Sequence, residues 1–197
     1  MIYWILGTLV WALVGYYLHK HRIWIFYYTW TAVGLTILAI LAVRSSAVEY
    51  AVEQWTGFFL HHGLAYLGIQ TFIFDKAPGT VLVLLALENS WTCIDIDIEC
   101  SGLLESCVLL GLLWFFPAFN YWQRVVYTLS GLIALFVINL IRLFTIVLVI
   151  NSGGRDTLYI AHTLIGRLVF FLLAIVVYWY LFTRPSLQSI WRQKDNV

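Results

Sequence analysis

Charge is what this sequence has least of. Asp, Glu, Lys and Arg together make up 11% of its 197 residues, well under half the roughly 25% usual in soluble domains. That scarcity excludes an ordinary water-soluble globule. The net charge of +1 says little about partners, because the two signs are unevenly placed along the chain, and no nucleic-acid partner is expected. Cysteine is sparse as well: Cys93, Cys100 and Cys107 are an odd number with no CxxC pair, which argues against a disulfide framework and a thioredoxin-like redox site. There is no internal repeat and no low-complexity linker, so residues 1–197 read as a single integral membrane domain. The apolar run Ile2 to Leu18 lacks a basic leader and a small-residue cleavage site, and its positive cluster His19-Lys20-His21-Arg22 follows it. It therefore reads as a membrane span and not as a signal peptide.

What is present is hydrophobic length. With 62% hydrophobic residues and a mean hydropathy of +0.89, the chain has the composition of an integral membrane protein. A span takes about 17 to 25 helical residues. The predicted spans are Ile2 to Leu18, Ile23 to Val43, Gly102 to Phe116, Val125 to Ile150 and Leu164 to Phe182. Putting the cluster after the first span in the cytoplasm, by the positive-inside rule, predicts an N-terminus outside and a C-terminus inside. Lys20, Arg22, Arg124, Arg184, Arg192 and Lys194 then lie inside and outnumber Arg44, Lys76 and Arg155 outside. The expected fold is mainly α, a polytopic bundle of about five transmembrane helices.

Between the second and third spans lies the segment 44–99, the least membrane-like part of the chain and rich in carboxylates. Ala47 to Leu67 is predicted to be an amphipathic helix along the outer interface, with Glu49, Glu53 and Gln54 interrupting its apolar residues. Adjacent histidines point about 100° apart on a helix, so His61 and His62 make a poor chelating pair, and no metal site is expected. Thr71 to Phe74, a turn through Asp75 to Gly79, and Thr80 to Leu87 read as two joined strands. Thr92 to Glu99 alternates, with Ile94, Ile96 and Ile98 on one face and Cys93, Asp95, Asp97 and Glu99 on the other. A small sheet is thus expected to cap the outer side. Its row of carboxylates reads first as a solvated face.

This acidic strand runs straight into the third span through Glu99-Cys100-Ser101-Gly102-Leu103. A thiol near a helix N-terminus has its pKa lowered by the peptide dipoles, and a nearby cation lowers it further, whereas Glu99 works the other way. Cys107, one heptad further on, reads as packing. Arg142 is costly inside a span and usually faces a bundle interior or wet cavity. It could snorkel or pair with Glu105, but Asn139, one turn earlier, is positioned for its amide oxygen to accept from the guanidinium. His162 opens the last span at the same depth. Cys, His and Arg converging from separate elements suit acyl transfer, with imidazole as the proton carrier.

The three motifs also resemble a family. Glu99-Cys100-Ser101-Gly102-Leu103, then Asn139-Leu140-Ile141-Arg142, then His162-Thr163-Leu164-Ile165-Gly166 look like the Cys-Ser-Gly, Asn-x-x-Arg and His motifs of the exosortase and archaeosortase family. The resemblance covers Thr92 to Phe182. It implies a membrane cysteine protease or transpeptidase, with Cys100 as nucleophile, His162 as general acid or base, and Arg142 stabilising the oxyanion or thiolate. Asn139, Ser101, Gly102 and Glu99 are the supporting residues. The implied substrate is an exported protein carrying a short motif, a C-terminal hydrophobic helix and a basic tail, cut at the outer face of the membrane. The acceptor is an amine or water. Membrane lipids are the surroundings, and no metal or organic cofactor is called for. Two features depart from the family's pattern: Glu99 stands where a small residue is common, and fewer spans precede the motifs, so the recognition sequence need not be the Pro-Glu-Pro type. The alternatives are a non-catalytic membrane subunit for export or surface-polymer assembly, and a thiol redox protein.

Overall fold

Apolar runs with no proline in their interior must pair their own backbone groups in a lipid environment, and a helix does so within one segment. A computed structural model of the chain describes residues 2–44, 46–74, 81–87, 90–98 and 100–185. It is mostly helical, with six helices. In chain order they are α1 (Ile2–Lys20), α2 (Trp24–Arg44), α3 (Val48–Tyr66), α4 (Leu103–Trp114), α5 (Tyr121–Gly153) and α6 (Leu158–Thr183). Between α3 and α4 lie the strands β1 (Thr71–Phe74), β2 (Val81–Leu87) and β3 (Ser90–Ile96). Among the described residues three helices, α2, α5 and α6, are long and apolar enough to cross a membrane.

The boundaries depart from the expected ones for local reasons. The third expected span is a helix of only 12 residues, about 18 Å long at 1.5 Å per residue. Pro117 lacks an N–H and disfavours helical backbone at the residue before it, so the helix stops short of it. Helix α5 begins four residues before the expected Val125, because the Gln123 Oε1 accepts the Asn120 N–H at 3.0 Å and closes the first turn. This places Arg124, expected as a loop charge, inside the helix. Its Nε donates to the Phe119 carbonyl at 3.0 Å and its Nη2 to that of Phe116 at 3.2 Å, fastening the α4–α5 turn. At its far end α5 closes on Gly154, which has φ 73° and donates its N–H to Ile150 O at 2.8 Å.

The sheet is antiparallel in the order β1-β2-β3, with Phe72 opposite Leu84 and Val83 opposite Ile94. The expected alternation along β3 holds: Ile94, Ile96 and Ile98 are buried, while Cys93 and Asp95 are exposed and Asp97 half-buried. The expected turn residues Asp75 to Gly79 and Thr80 lie outside the described residues. In α3 one of the polar interruptions faces inward. Glu53 is only 2% exposed and shares the buried face with Thr56, Leu60 and Leu64, whereas Trp55, Phe58 and Phe59 face outward. The i, i+3, i+7, i+11 spacing of that face is helical, and the carboxylate is carried inward with it.

Helix packing runs α1 on α2, α2 on α4, α4 on α5 and α5 on α6, with α3 bridging the sheet and α5. Trp11 and Trp30 clasp α1 to α2 reciprocally, each indole N–H donating to the other's carbonyl, at 3.3 and 3.1 Å. At Gly111 the backbones of α4 and α2 meet so closely that a Cβ would stand 2.6 Å from the Ala32 carbonyl oxygen. Two apolar cores lie along α5. One joins Leu60, Leu64, Ile94, Ile96 and Cys100 to Leu143, Ile146 and Ile150, and the other joins Leu109, Leu113 and Phe119 to Leu135. Arg142 lies between Leu135 and Leu143, at the seam of the two cores.

Candidate active site

Cys100 lies in the turn between β3 and α4, where its backbone is closely held. The Asp97 carbonyl accepts the N–H of Cys100 at 3.0 Å and that of Ser101 at 2.9 Å, and the Asp97 carboxylate accepts the Cys100 N–H a second time, Oδ1 at 2.9 Å. Aspartate suits the first position of such a turn because its short side chain reaches local backbone N–H groups. The Ser101 Oγ, expected among the supporting residues, donates to Ile98 O at 3.0 Å and so stiffens the same turn. Gly102 follows with φ 74°, the left-handed conformation that glycine adopts without penalty. Its missing side chain leaves room for Asn139, whose Cβ would be 3.3 Å from a Cβ built there. Glu99 lies outside the described residues.

Asn139 has a different role from the one expected. Its amide oxygen has no hydrogen-bond partner among the described residues, while its Nδ2 donates to the Cys100 carbonyl at 2.7 Å. The residue is fully buried. Asn139 therefore orients the backbone of Cys100 from across the helix interface.

From the opposite side α6 delivers His162. The residues Ala161–Ile165 form a π-helical turn within α6, a widening often found at functional sites. The His162 Nε2 stands 3.5 Å from the Cys100 Sγ, a hydrogen-bonding distance for sulfur. Arg142 is 7% exposed and lines the same cavity, with its guanidinium carbon 5.7 Å from the centre of the Phe170 ring, a cation–π contact that softens the cost of burying the charge. The expected trio is thus brought together. Cys100, Arg142 and His162 all line one open cavity of about 980 Å³, which Asp97, Glu105 and Arg167 also face.

The electrostatics reverse one expectation. The Cys100 thiol is 5% exposed, and burial first, then the charge of Asp97, push its pKa up to about 11, with Arg142 pulling the other way. Burial and Asp97 thus favour the neutral thiol over the thiolate, and outweigh the cation expected to lower its pKa. Cys93, on the exposed edge of the cavity wall, is also raised by partial burial and Asp95. Cys107 packs at 6% exposure in α4 as expected, and all three cysteines are free thiols. His61 and His62 engage Thr71 Oγ1 at 2.6 Å and Phe58 O at 2.9 Å. Among the described residues no group of His, Cys, Asp and Glu is arranged to hold a metal.

The sequence marks two residues of this site weakly. Asp97 reads as one of the solvated carboxylates, although an Asp three residues before Cys100 is a turn signal. Arg167 falls within an apolar span, and its position five residues beyond His162 gives little sign that it shares the cavity.

Together these features define a mostly helical protein with three helices able to cross a membrane and a Cys–His pair beside a buried guanidinium. No family model, curated protein or solved structure matches the chain.

Proposed function

We propose that the protein is a membrane-embedded cysteine peptidase or transpeptidase, as its resemblance to the exosortases and archaeosortases implies. It acts at the outer face of a prokaryotic plasma membrane on exported proteins whose C-terminal signal is a hydrophobic helix with a basic tail. The single observation that carries this reading is the 3.5 Å approach of Cys100 Sγ to His162 Nε2 in the cavity that Arg142 also lines. Because the thiol is neutral at rest, His162 acts as a general base during attack and receives the Sγ proton as sulfur bonds to the peptide carbonyl carbon. The Arg142 guanidinium stabilises the oxyanion that forms. Collapse breaks the C–N bond, the proton passes from His162 to the leaving amine, and an acyl thioester remains on Cys100. An amine or water then attacks the thioester, releasing the product and restoring the thiol.

The experiment is precursor processing in cells whose only copy carries Cys100→Ala. Uncleaved precursor accumulates if the assignment is right, and normal cleavage refutes it. One observation favours a second reading, a non-catalytic subunit for export or polymer assembly: Cys100 belongs to an apolar core cluster. On that reading Cys100→Ala and His162→Ala are silent, and only Arg142→Ala disturbs assembly.

A further inference from the structure

Cys100 is gripped by one neighbour more completely than by any other. The Asp97 carbonyl and carboxylate both accept its backbone N–H, at 3.0 and 2.9 Å, and the same carbonyl accepts the N–H of Ser101 at 2.9 Å. Asp97 also faces the cavity in which the Sγ meets His162. Its carboxylate can therefore act on the residue in two separable ways, by a hydrogen bond that fixes the main chain and by a negative charge beside the sulfur. We propose that Asp97 is a positioning residue for Cys100, its carbonyl and carboxylate oxygens fixing the backbone of the nucleophile while its charge stands beside the sulfur. This deepens the peptidase reading and rests on it.

The charged and titratable groups around the thiol come from every packed element. They are Cys93 and Asp95 on β3, Asp97 on the turn, Glu105 on α4, Arg142 on α5, and Tyr159, His162 and Arg167 on α6, all lining the cavity. Glu53 on α3 lies within electrostatic reach of Asp97 and Asp95. Burial opposes the thiolate most strongly, and the Asp97 carboxylate adds to that opposition by its charge and by a side-chain hydrogen bond; Arg142, and a hydrogen bond from the Asp97 backbone, favour the thiolate. A thiol held neutral resists oxidation and stray electrophiles, since the thiolate is the reactive form. It also has a proton to hand to His162 only when a carbonyl is in place to accept the sulfur.

The test is the pH profile of Cys100 alkylation by iodoacetamide in the full chain, solubilised in detergent, in a Cys93→Ser, Cys107→Ser background. The rate should climb about tenfold per pH unit through pH 10 without a plateau, as a thiol of raised pKa requires. Asp97→Asn keeps an oxygen for the Cys100 N–H and removes the charge. Its profile should move down by about one unit. Alkylation at pH 8 should then rise only about threefold, because a tenfold gain in thiolate is partly offset by its lower intrinsic nucleophilicity. Asp97→Ser, a shorter uncharged acceptor, should shift in the same direction, so the question stays open to test if the Asn variant folds poorly. Asp97→Glu keeps the charge but displaces the oxygen, and should leave the profile near wild type while precursor cleavage falls. Asp95→Asn, two residues along the same strand face, should leave the profile in place. Profiles for Asp97→Asn and Asp97→Ser that overlie the wild type, or move up, overturn the proposal. Failure of the peptidase reading registers separately, as normal cleavage by Cys100→Ala, because alkylation reads the thiol whatever the protein catalyses.

Discussion

Replacing Asn139 by Ala tests whether Cys100 is held in place from α5. The bond removed is 2.7 Å long and joins a fully buried amide to the carbonyl of a residue 5% exposed. Removing one partner of a buried hydrogen bond costs about 1–3 kcal/mol, because the group left behind is desolvated without compensation. A credit offsets part of it. The Asn139 Oδ1 is itself buried with no hydrogen bond among the described residues, and deleting it relieves roughly 1 kcal/mol of that same kind. The net expectation is a destabilisation of up to about 2 kcal/mol. Asn139→Asp is the sharper variant. It loses the donor and turns a carboxylate toward the Cys100 carbonyl, so the loss should rise to about 3–5 kcal/mol, the range for an uncompensated buried charge. Thermal unfolding in detergent, followed by tryptophan fluorescence, measures both. Misplacing a reacting group by about 1 Å can cost on the order of a hundredfold in rate, so precursor cleavage by Asn139→Ala should fall more steeply than its stability. An Asn139→Leu variant as stable as wild type and equally active would refute the account, since leucine fills the volume and donates nothing.

Two further outcomes concern the scaffold. The Glu53 carboxyl is pushed up to about 7, by burial first and then by Glu49, Asp97 and Asp95. Between its ordinary 4.5 and about 7 the folded state holds a proton that the unfolded state has lost, so this group's contribution to stability is complete below the window, declines as pH rises through it and is flat above; Glu53→Gln should remove that slope from a plot of Tm against pH. Gly111→Leu should separate α2 from α4, because even a Cβ would stand 2.6 Å from the Ala32 carbonyl oxygen. Overpacking of this kind costs about 1–3 kcal/mol, read as a lower Tm, and an unchanged Tm would count against the close approach.

The parts of the fold visible in the sequence were those governed by period and punctuation. Alternating isoleucines placed β3 and its buried face, and apolar runs placed the helices, because both patterns repeat within one element. What stayed hidden depended on partners in other elements. Glu53 looks polar in sequence, yet it shares a helical face with Leu60 and Leu64, and the packing of that face takes the carboxylate inward. Asn139 looks like a partner for Arg142 because the two are one turn apart on α5. The choice went instead to a carbonyl 39 positions away, brought near by Gly102.

The same distinction explains why the site's membership was legible and its electrostatics were not. Cys100, Arg142 and His162 each interrupt or border an apolar stretch, so each is conspicuous alone, and successive antiparallel helices bring such interruptions to one level. Whether the thiol is ionised is a balance among terms of opposite sign. Arg142 and the helix N-terminus could be read from sequence and both favour the thiolate. Burial and Asp97 oppose it, and burial is the largest cause of the upward shift. Burial is a property of the assembled core, in which Cys100 packs with Leu143, Ile146 and Ile150. A guanidinium at the seam of two apolar cores needs an aqueous or polar outlet, and the cavity beside Cys100 supplies it. The charge that makes the cavity necessary is thus the same charge to which the proposed mechanism gives the oxyanion.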